Sequence, residues 1–524
     1  MASTFTTFPH LRSATPRSFN ECSRCLARVN AAFNPVLGRI NQRSTAHLAK
    51  SLSGRRPQLI TVNALQGKSR VIPTPNRIVR NVSTQAHKAK PNFRDDGQSR
   101  SKKHFPTVSD KIVAYWLLGS AASVFGIVVF GGLTRLTESG LSITEWRPVA
   151  GSLPPMSAEA WGSEFSKYRD SPEFQLLNPR MTLDEFKQIY WMEWGHRLWG
   201  RVIGVTFIVP TAYFIARGMV SARMAVRLVG ISGLIGFQGF LGWWMVKSGL
   251  KDDLFASGSH PRVSQYRLTA HLGTAFLVYA SMVASGLDIL RERRWFYMLL
   301  IERSKRLAVL GKHSVRPRLR LFQNLSVALI GLIFTTAMSG GLVAGLDAGL
   351  IYNEFPHMGQ GFTPPKKELF DPFYSHRPDN SDLWWRNMLE NPSLVQLEHR
   401  MLATTTFTAV MALFAFSRFA NNRHVIPKGC HRAILGMAYL VTLQATLGIS
   451  TLIYLVPTWL ASLHQAGSLA LLTGAIVLSS RTRLPAHTIK NLREAHNIQT
   501  LLRPNRDLRS TLMKNRFFNK DYVP

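Results

Sequence analysis

Long apolar segments alternate with polar segments over most of this chain. Eight of them have about 20 mostly apolar residues, the length that a helix needs to cross the hydrocarbon core of a bilayer. The segments are 111–134, 188–216, 223–247, 265–290, 321–346, 394–418, 431–454 and 457–480. The pattern predicts an all-α, polytopic membrane protein with eight transmembrane helices.

The second half of this pattern repeats the first half. The matching segments are 130–141 with 339–350, 195–197 with 398–400, and 238–242 with 444–448. Four crossings return a chain to its starting side of the membrane, so both copies have the same orientation. We therefore expect two four-helix bundles in a parallel repeat, related by an axis along the membrane normal.

The basic residues divide the rest of the chain. The predicted halves, 105–290 and 321–480, are joined by a basic loop, 291–320, and followed by a basic tail, 481–524. Positive segments lie on the side of synthesis or import. Both termini are therefore expected in the matrix of a mitochondrion, and the long, less basic loops after the first and fifth helices in the intermembrane space.

Composition excludes several classes of protein. The chain has 524 residues, 64 Lys and Arg, 29 Asp and Glu, and three Cys. A disordered basic protein would lack the apolar segments, and three Cys cannot make a disulfide scaffold. Because the positive charge lies in tails and loops around apolar helices, the bilayer is the expected partner and nucleic acid is not.

Residues 1–104 are basic, hydroxylated and poor in acids, which is typical of a mitochondrial import sequence; a retained basic arm is the alternative.

Four histidines lie inside the even-numbered segments. His196, His271, His399 and His464 each stand about two helical turns from the end that faces the intermembrane space, at a depth of roughly 8–12 Å. A lone intramembrane histidine is most often a hydrogen-bonded core residue. One on every even helix, in both halves, indicates a function, because ionisable groups in a span are costly.

Two imidazoles from neighbouring helices suit the two axial positions of a haem iron. The repeat pairs His196 with His271 and His399 with His464, which predicts one haem site in each half. Zinc fits less well, because two histidines supply only half of a structural zinc site. Both sites are predicted near the same face of the membrane, which disfavours a conduit that carries electrons across it.

The two halves differ beside the first histidine of each pair. Glu193 stands three residues before His196, on the same face of the helix, whereas Gln396 has this position before His399. A carboxylate in a medium of low dielectric can shuttle protons, so Glu193 is the candidate catalytic residue. The alternative is a glutamate that only hydrogen-bonds its own histidine or a nearby arginine.

Arg197 and Arg400 directly follow the two histidines in equivalent places. A guanidinium group binds carboxylates with two parallel hydrogen bonds. Both arginines are therefore candidate partners of haem propionates or of the nearby glutamates, and the sequence does not choose between these partners.

Four longer segments carry a resemblance. They are Gly-Gly-Leu-Thr-Arg-Leu-Thr-Glu-Ser-Gly-Leu-Ser (131–142), Glu-Trp-Gly-His-Arg (193–197), Gly-Trp-Trp-Met-Val-Lys-Ser-Gly-Leu (242–250) and Pro-Arg-Val-Ser-Gln-Tyr-Arg-Leu-Thr-Ala-His-Leu (261–272). With these motifs the chain closely resembles the mitochondrial and proteobacterial haem A synthase family. The resemblance covers about residues 111–480.

The resemblance implies an enzyme that oxidises a methyl group of haem O to the formyl group of haem A, by successive hydroxylation, for cytochrome c oxidase. It implies that His196 and His271 hold haem O as substrate, while His399 and His464 hold a permanent haem b. The family's catalytic glutamate falls on Glu193. The implied partners are haem O, the enzyme that makes it and a ferredoxin-type electron partner in the matrix; a homo-oligomer is left open.

One departure from the family limits the mechanism. Some bacterial members carry a Cys pair in the outer loops, but this chain has no Cys between Cys25 and Cys430.

Two axial ligands leave no free position for oxygen at iron, so oxidation at the ring edge is expected, with Glu193 taking the methyl proton or holding the attacking water. Transient loss of one histidine would instead restore oxygen chemistry at iron.

Two rival functions remain open at this point. A bis-histidine membrane cytochrome b could act as a quinol or ferric reductase and would hold ordinary haem b at both sites. A haem carrier or assembly factor would deliver the cofactor without altering it, and would not need Glu193.

Overall fold

The computed structural model describes residues 105–147, 153–255, 261–301, 317–482 and 489–490. Within these ranges, eight long helices are apolar enough to cross a membrane. They are α1 (Lys111–Leu136), α2 (Leu183–Ala216), α3 (Ala222–Gly249), α4 (Gln265–Ile301), α5 (Pro317–Gly345), α6 (Pro392–Arg418), α7 (Lys428–Ile453) and α8 (Thr458–Thr482). The predicted all-α membrane protein with eight spans is confirmed.

Capping residues in the sequence explain where several helices begin. Asp110 caps α1, Ser221 caps α3, and Thr182 and Glu185 form a reciprocal capping box at the start of α2. These side chains accept hydrogen bonds from backbone N–H groups that have no partner within the helix. Asn391 does the same for α6, whose first residue is Pro392.

Within each half, the four helices contact one another in a closed ring. In the first half α1 packs on α2, α2 on α3, α3 on α4, and α4 on α1; in the second half α5 to α8 make the same series of contacts. The halves meet where α4 packs on α5, α8 packs on α1, and α4 packs on α8. Exchanging the halves exchanges the first two of these contacts, which supports the proposed repeat.

Two helices are longer than the apolar segments suggest. Helix α4 continues past residue 290 to Ile301, so the first part of the basic segment 291–320 is helical. Helix α2 begins at Leu183, whereas in the second half a separate helix, Leu383–Glu390, precedes α6. Pro392 explains the break, because it lacks the N–H group that a continuous helix would need there.

The long loop between α1 and α2 has an apolar core of its own. The charge pattern predicts the two long loops on the intermembrane-space side, and we call them the outer loops. Tyr168 and Phe174 come from two short helices, Ala158–Arg169 and Pro172–Leu177, and pack against Phe186 on α2. Trp161 packs edge-on against Tyr190 in the same cluster. The proposed import sequence at 1–104 and most of the basic tail lie outside the described residues.

Candidate functional site

The four predicted histidines lie on the four even-numbered helices. His271, His399 and His464 stand about two turns from the first residue of α4, α6 and α8. His196 stands further along α2, because that helix begins earlier. The imidazoles of His196 and His271 lie within electrostatic range of each other, and so do those of His399 and His464.

Each imidazole lies against a glycine of the preceding long helix. An ideal Cβ at these glycines would come close to the ring of the histidine. The pairs and distances are Gly131 to His196 (2.9 Å), Gly242 to His271 (3.3 Å), Gly340 to His399 (3.1 Å) and Gly448 to His464 (2.7 Å). Any larger side chain would displace the imidazole, so all four glycines keep space at the rings.

A glutamine supports the second histidine of each pair. Nε2 of Gln238 on α3 donates to the carbonyl oxygen of His271 at 2.8 Å, and Nε2 of Gln444 on α7 donates to that of His464 at 2.9 Å. These bonds tie α3 to α4 and α7 to α8 beside the ligand. The four-residue spacing from each glutamine to its glycine, Gly242 or Gly448, repeats in the sequence. From the sequence we took this spacing only as evidence for the repeat and missed the role of the glutamines.

The residues present fit two bis-histidine haem groups. Nδ1 of His271 and Nδ1 of His464 are buried and have no hydrogen-bond partner in the protein. Nδ1 of His399 instead lies 2.8 Å from Oγ of Ser339. Pairs of imidazoles within electrostatic range of each other, with a glycine beside each ring, are the donor set that a haem iron needs.

The Glu193 carboxylate is fully engaged in the protein. The residue is 2% exposed, and its Oε2 accepts hydrogen bonds from Ser142 Oγ and from the backbone N–H of Ile143, both at 2.7 Å. Its Oε1 accepts from the Arg197 guanidinium at 2.6 Å. Glu193 therefore forms a buried ion pair at the contact between α2 and the outer loop.

The same place in the second half is neutral. Gln396 donates from Nε2 to the carbonyl oxygens of Ala348 (2.9 Å) and Tyr352 (3.2 Å), and its Oε1 lies 3.4 Å from the Arg400 guanidinium. The loop thus presents carbonyl oxygens to Gln396, where it presents donors to Glu193. The exchange of acid for amide comes with a matching change in the hydrogen-bonding groups around it.

The two arginines bind the outer loops. Arg197 donates to the carbonyl oxygens of Ile143 (2.7 Å) and Glu145 (3.0 Å) as well as to Glu193. Arg400 makes equivalent bonds to the carbonyl oxygens of Tyr352 and Glu354 and a further bond to that of His357. Each guanidinium therefore fixes a loop over the helix that carries the histidine.

A second buried acid lies in the outer loop of the first half. Burial raises the pKa of Glu173 to about 7, against the positive charge of Arg135, which lowers it. The Tyr168 hydroxyl donates to Glu173 Oε1 at 2.9 Å. Sequence reasoning did not single out Glu173 or Ser142, because neither residue type nor spacing marks them among the polar residues of the loop.

Ion pairs join the halves at the end of the bundle that carries the two long loops. Asp347, directly after the leucine that follows α5, pairs with Arg135 of α1 at 2.8 Å and with Arg262, before α4, at 3.2 Å. Asp347 and Glu138, the corresponding residue of the first half, both have left-handed backbone conformations, with φ of 53° and 52°. This shared conformation is a second structural match between the halves.

The fold and the histidines together define the class: a multi-pass helical membrane protein with two pairs of histidines within its spans. The family model COX15-CtaA, described as cytochrome oxidase assembly protein, matches residues 114–476. The chain belongs to this family. The resemblance stated from the motifs is confirmed.

Three relatives show the range of the family. Heme A synthase COX15 of Saccharomyces cerevisiae is 52% identical over 385 residues, which cover 73% of this chain and 78% of the relative. Heme A synthase COX15 of Homo sapiens is 43% identical, covering 72% of this chain and 83% of the relative. A heme A synthase–mitochondrial ferredoxin fusion protein of Schizosaccharomyces pombe is 50% identical, covering 74% and 62%.

Proposed function

We propose that this chain is a haem A synthase of the mitochondrial inner membrane, which oxidises a methyl group of haem O to a formyl group. The observation that carries the proposal is the pair of neighbouring imidazoles in each half, with a glycine beside every ring. Relatives that cover most of the chain carry the same activity in their names. The product, haem A, would serve cytochrome c oxidase.

The two histidine pairs are assigned to different haem groups. His196 and His271 hold haem O as substrate, and His399 and His464 hold a resident haem b. A haem b held by His399 and His464 would supply one-electron transfer. The charged Glu193 beside the first pair, against the neutral Gln396 beside the second, supports placing the substrate in the first half.

Glu193 is assigned the catalytic role. Its ion pair with Arg197 keeps a buried negative charge next to the first histidine pair, and the ionised carboxylate is the form that accepts a proton or orients a water molecule. Ser142 and the Ile143 N–H hold the carboxylate in one orientation. The fixed position favours a group that acts on one atom of a bound substrate over one that swings between partners.

Electrons would be exchanged with a ferredoxin-type protein in the matrix. The fission-yeast relative is named as a fusion with a mitochondrial ferredoxin, which supports this partner. Both termini and the basic segments are proposed on the matrix side, where positive charge would attract an acidic partner. Both histidine pairs are then nearer to the intermembrane space.

Pigment analysis of the purified protein tests the function. Native protein should yield haem b together with haem O or haem A, whereas Glu193→Gln should yield haem b and haem O, or hydroxylated haem, without haem A. Glu398→Gln is the matched control, since it makes the same acid-to-amide change beside His399 in the second half, where Glu398 has no assigned role. Ordinary haem b at both sites would favour the reductase, and unchanged haem A in Glu193→Gln would remove the role of this residue.

A further inference from the structure

The contact between α8 and α1 joins the two halves, and a polar side chain lies in it. Gln465, the residue after His464, donates from Nε2 to the carbonyl oxygen of Val128 on α1 at 3.1 Å. Its amide lies so close to Gly132 that a Cβ at this glycine would collide with it. Gln465 and Gly132 therefore fix the approach of α8 to α1.

The same turn of α1 touches the other histidine pair. Gly131 precedes Gly132, and a Cβ at Gly131 would lie 2.9 Å from Nε2 of His196. A short series of bonded and packed groups thus runs from His464 through Gln465 and the two glycines to His196. It connects a histidine of the second half with a histidine of the first half.

The corresponding contact between α4 and α5 has no amide in this position, although Thr269 Oγ1 lies near Gly341. Leu272 follows His271, and its Cδ2 would lie 3.2 Å from a Cβ at Gly341. The adjacent Gly340 faces His399. The helices, the glycines and the histidines are equivalent, but a leucine methyl replaces the amide and makes no hydrogen bond.

A glutamine within a membrane span is unfavourable unless its amide has a role there. Leucine is cheaper than glutamine to place among lipid tails, and interhelical hydrogen bonds of polar side chains specify how transmembrane helices pack. At the α4–α5 contact the fold accepts leucine. At the α8–α1 contact it has glutamine, between His464 and the two glycines of α1.

We propose that Gln465 is a positioning residue that couples the two histidine sites, by holding His464 of α8 against the glycine turn of α1 that packs on His196. The inference rests on the proposed function, since it takes both pairs to bind haem. It predicts that the state of the first site alters the haem of the second site through this contact.

The test measures the midpoint potential and visible spectrum of the haem held by His399 and His464. Each is recorded with the first site intact and after His196→Ala, in native protein and in Gln465→Met, which keeps the length of the side chain but cannot donate. The shift caused by His196→Ala should be smaller in Gln465→Met by about twofold or more, as for residues that share one network. Leu272→Met is the matched control at the α4–α5 contact and should leave the shift unchanged.

The outcomes separate this inference from the function. An equal shift in native protein and Gln465→Met overturns the coupling while leaving both haem sites in place, whereas absence of pigment from native protein overturns the haem sites themselves. If Gln465→Met does not accumulate, Gln465→Leu repeats the test with the side chain that the equivalent contact already contains. Failure of both variants, beside a stable Leu272→Met, would make Gln465 a folding residue and also overturn the coupling.

Discussion

The glycine beside each imidazole gives a prediction that separates the two sites. Gly131→Ala adds a Cβ 2.9 Å from Nε2 of His196, and Gly448→Ala adds one 2.7 Å from Cε1 of His464. Matched controls lie on the same two helices. At Gly119 of α1 and Gly436 of α7, an added Cβ meets nothing within 4 Å.

The expected magnitude follows from two opposing effects. Alanine is favoured over glycine inside a helix by about 1 kcal/mol, so the controls should unfold at the same temperature or slightly higher. Overpacking costs about 1–3 kcal/mol, so Gly131→Ala and Gly448→Ala should be destabilised by about 0–2 kcal/mol in net. The larger effect is displacement of the imidazole from the position where it can share an iron atom with its partner.

Purified variants are compared by thermal unfolding and by extraction and mass analysis of the pigment. Gly131→Ala should lose haem O and haem A about tenfold while it keeps haem b, and Gly448→Ala should lose haem b, in line with the effect of disturbing groups next to a metal ligand. Equal pigment content in Gly131→Ala and Gly119→Ala would show that the glycine does not make room at the haem. Loss of both pigments from either variant would refute two separate sites.

Two further predictions concern polar groups. Burial raises the pKa of Glu173 from 4.5 to about 7, so the protein should lose up to about 3 kcal/mol of folding stability as pH rises between these values. Glu173→Gln should therefore flatten the fall of the unfolding temperature over this pH range. An unchanged slope in this variant would show that Glu173 is not the cause. Oγ of Ser339 lies 2.8 Å from Nδ1 of His399. Ser339→Ala should therefore raise the midpoint potential of haem b and weaken its retention about tenfold. A native midpoint potential in this variant would show that the contact does not tune the iron.

Much of the fold follows from the sequence because lipid imposes simple rules. A span must be long and apolar, so eight helices could be placed to within a few residues. The helix ends were harder to predict. Helix α2 extends to Leu183 through an amphipathic segment under the outer loop, and α4 extends to Ile301 through basic residues. Hydropathy cannot predict such extensions, because they lie beyond the hydrocarbon core.

The histidines were predictable, but their surroundings were only partly so. Matching residues in the two halves pointed to the four imidazoles and to the exchange of Glu193 for Gln396. Arg197 was a candidate partner of Glu193. The partners Ser142 and Ile143 could not be predicted, because they come from a loop whose path over α2 depends on tertiary packing. The role of Gln465 also needed coordinates, because only the helix arrangement places it against Gly132.

The most direct test of the account is the pigment content of single histidine variants. His464→Ala should purify without haem b but with haem O still bound, and His196→Ala should purify with haem b alone. Each result assigns one porphyrin to one half of the bundle. Native protein that contains a single porphyrin, or variants that each lose every pigment, would contradict two histidine pairs that hold two different haem groups.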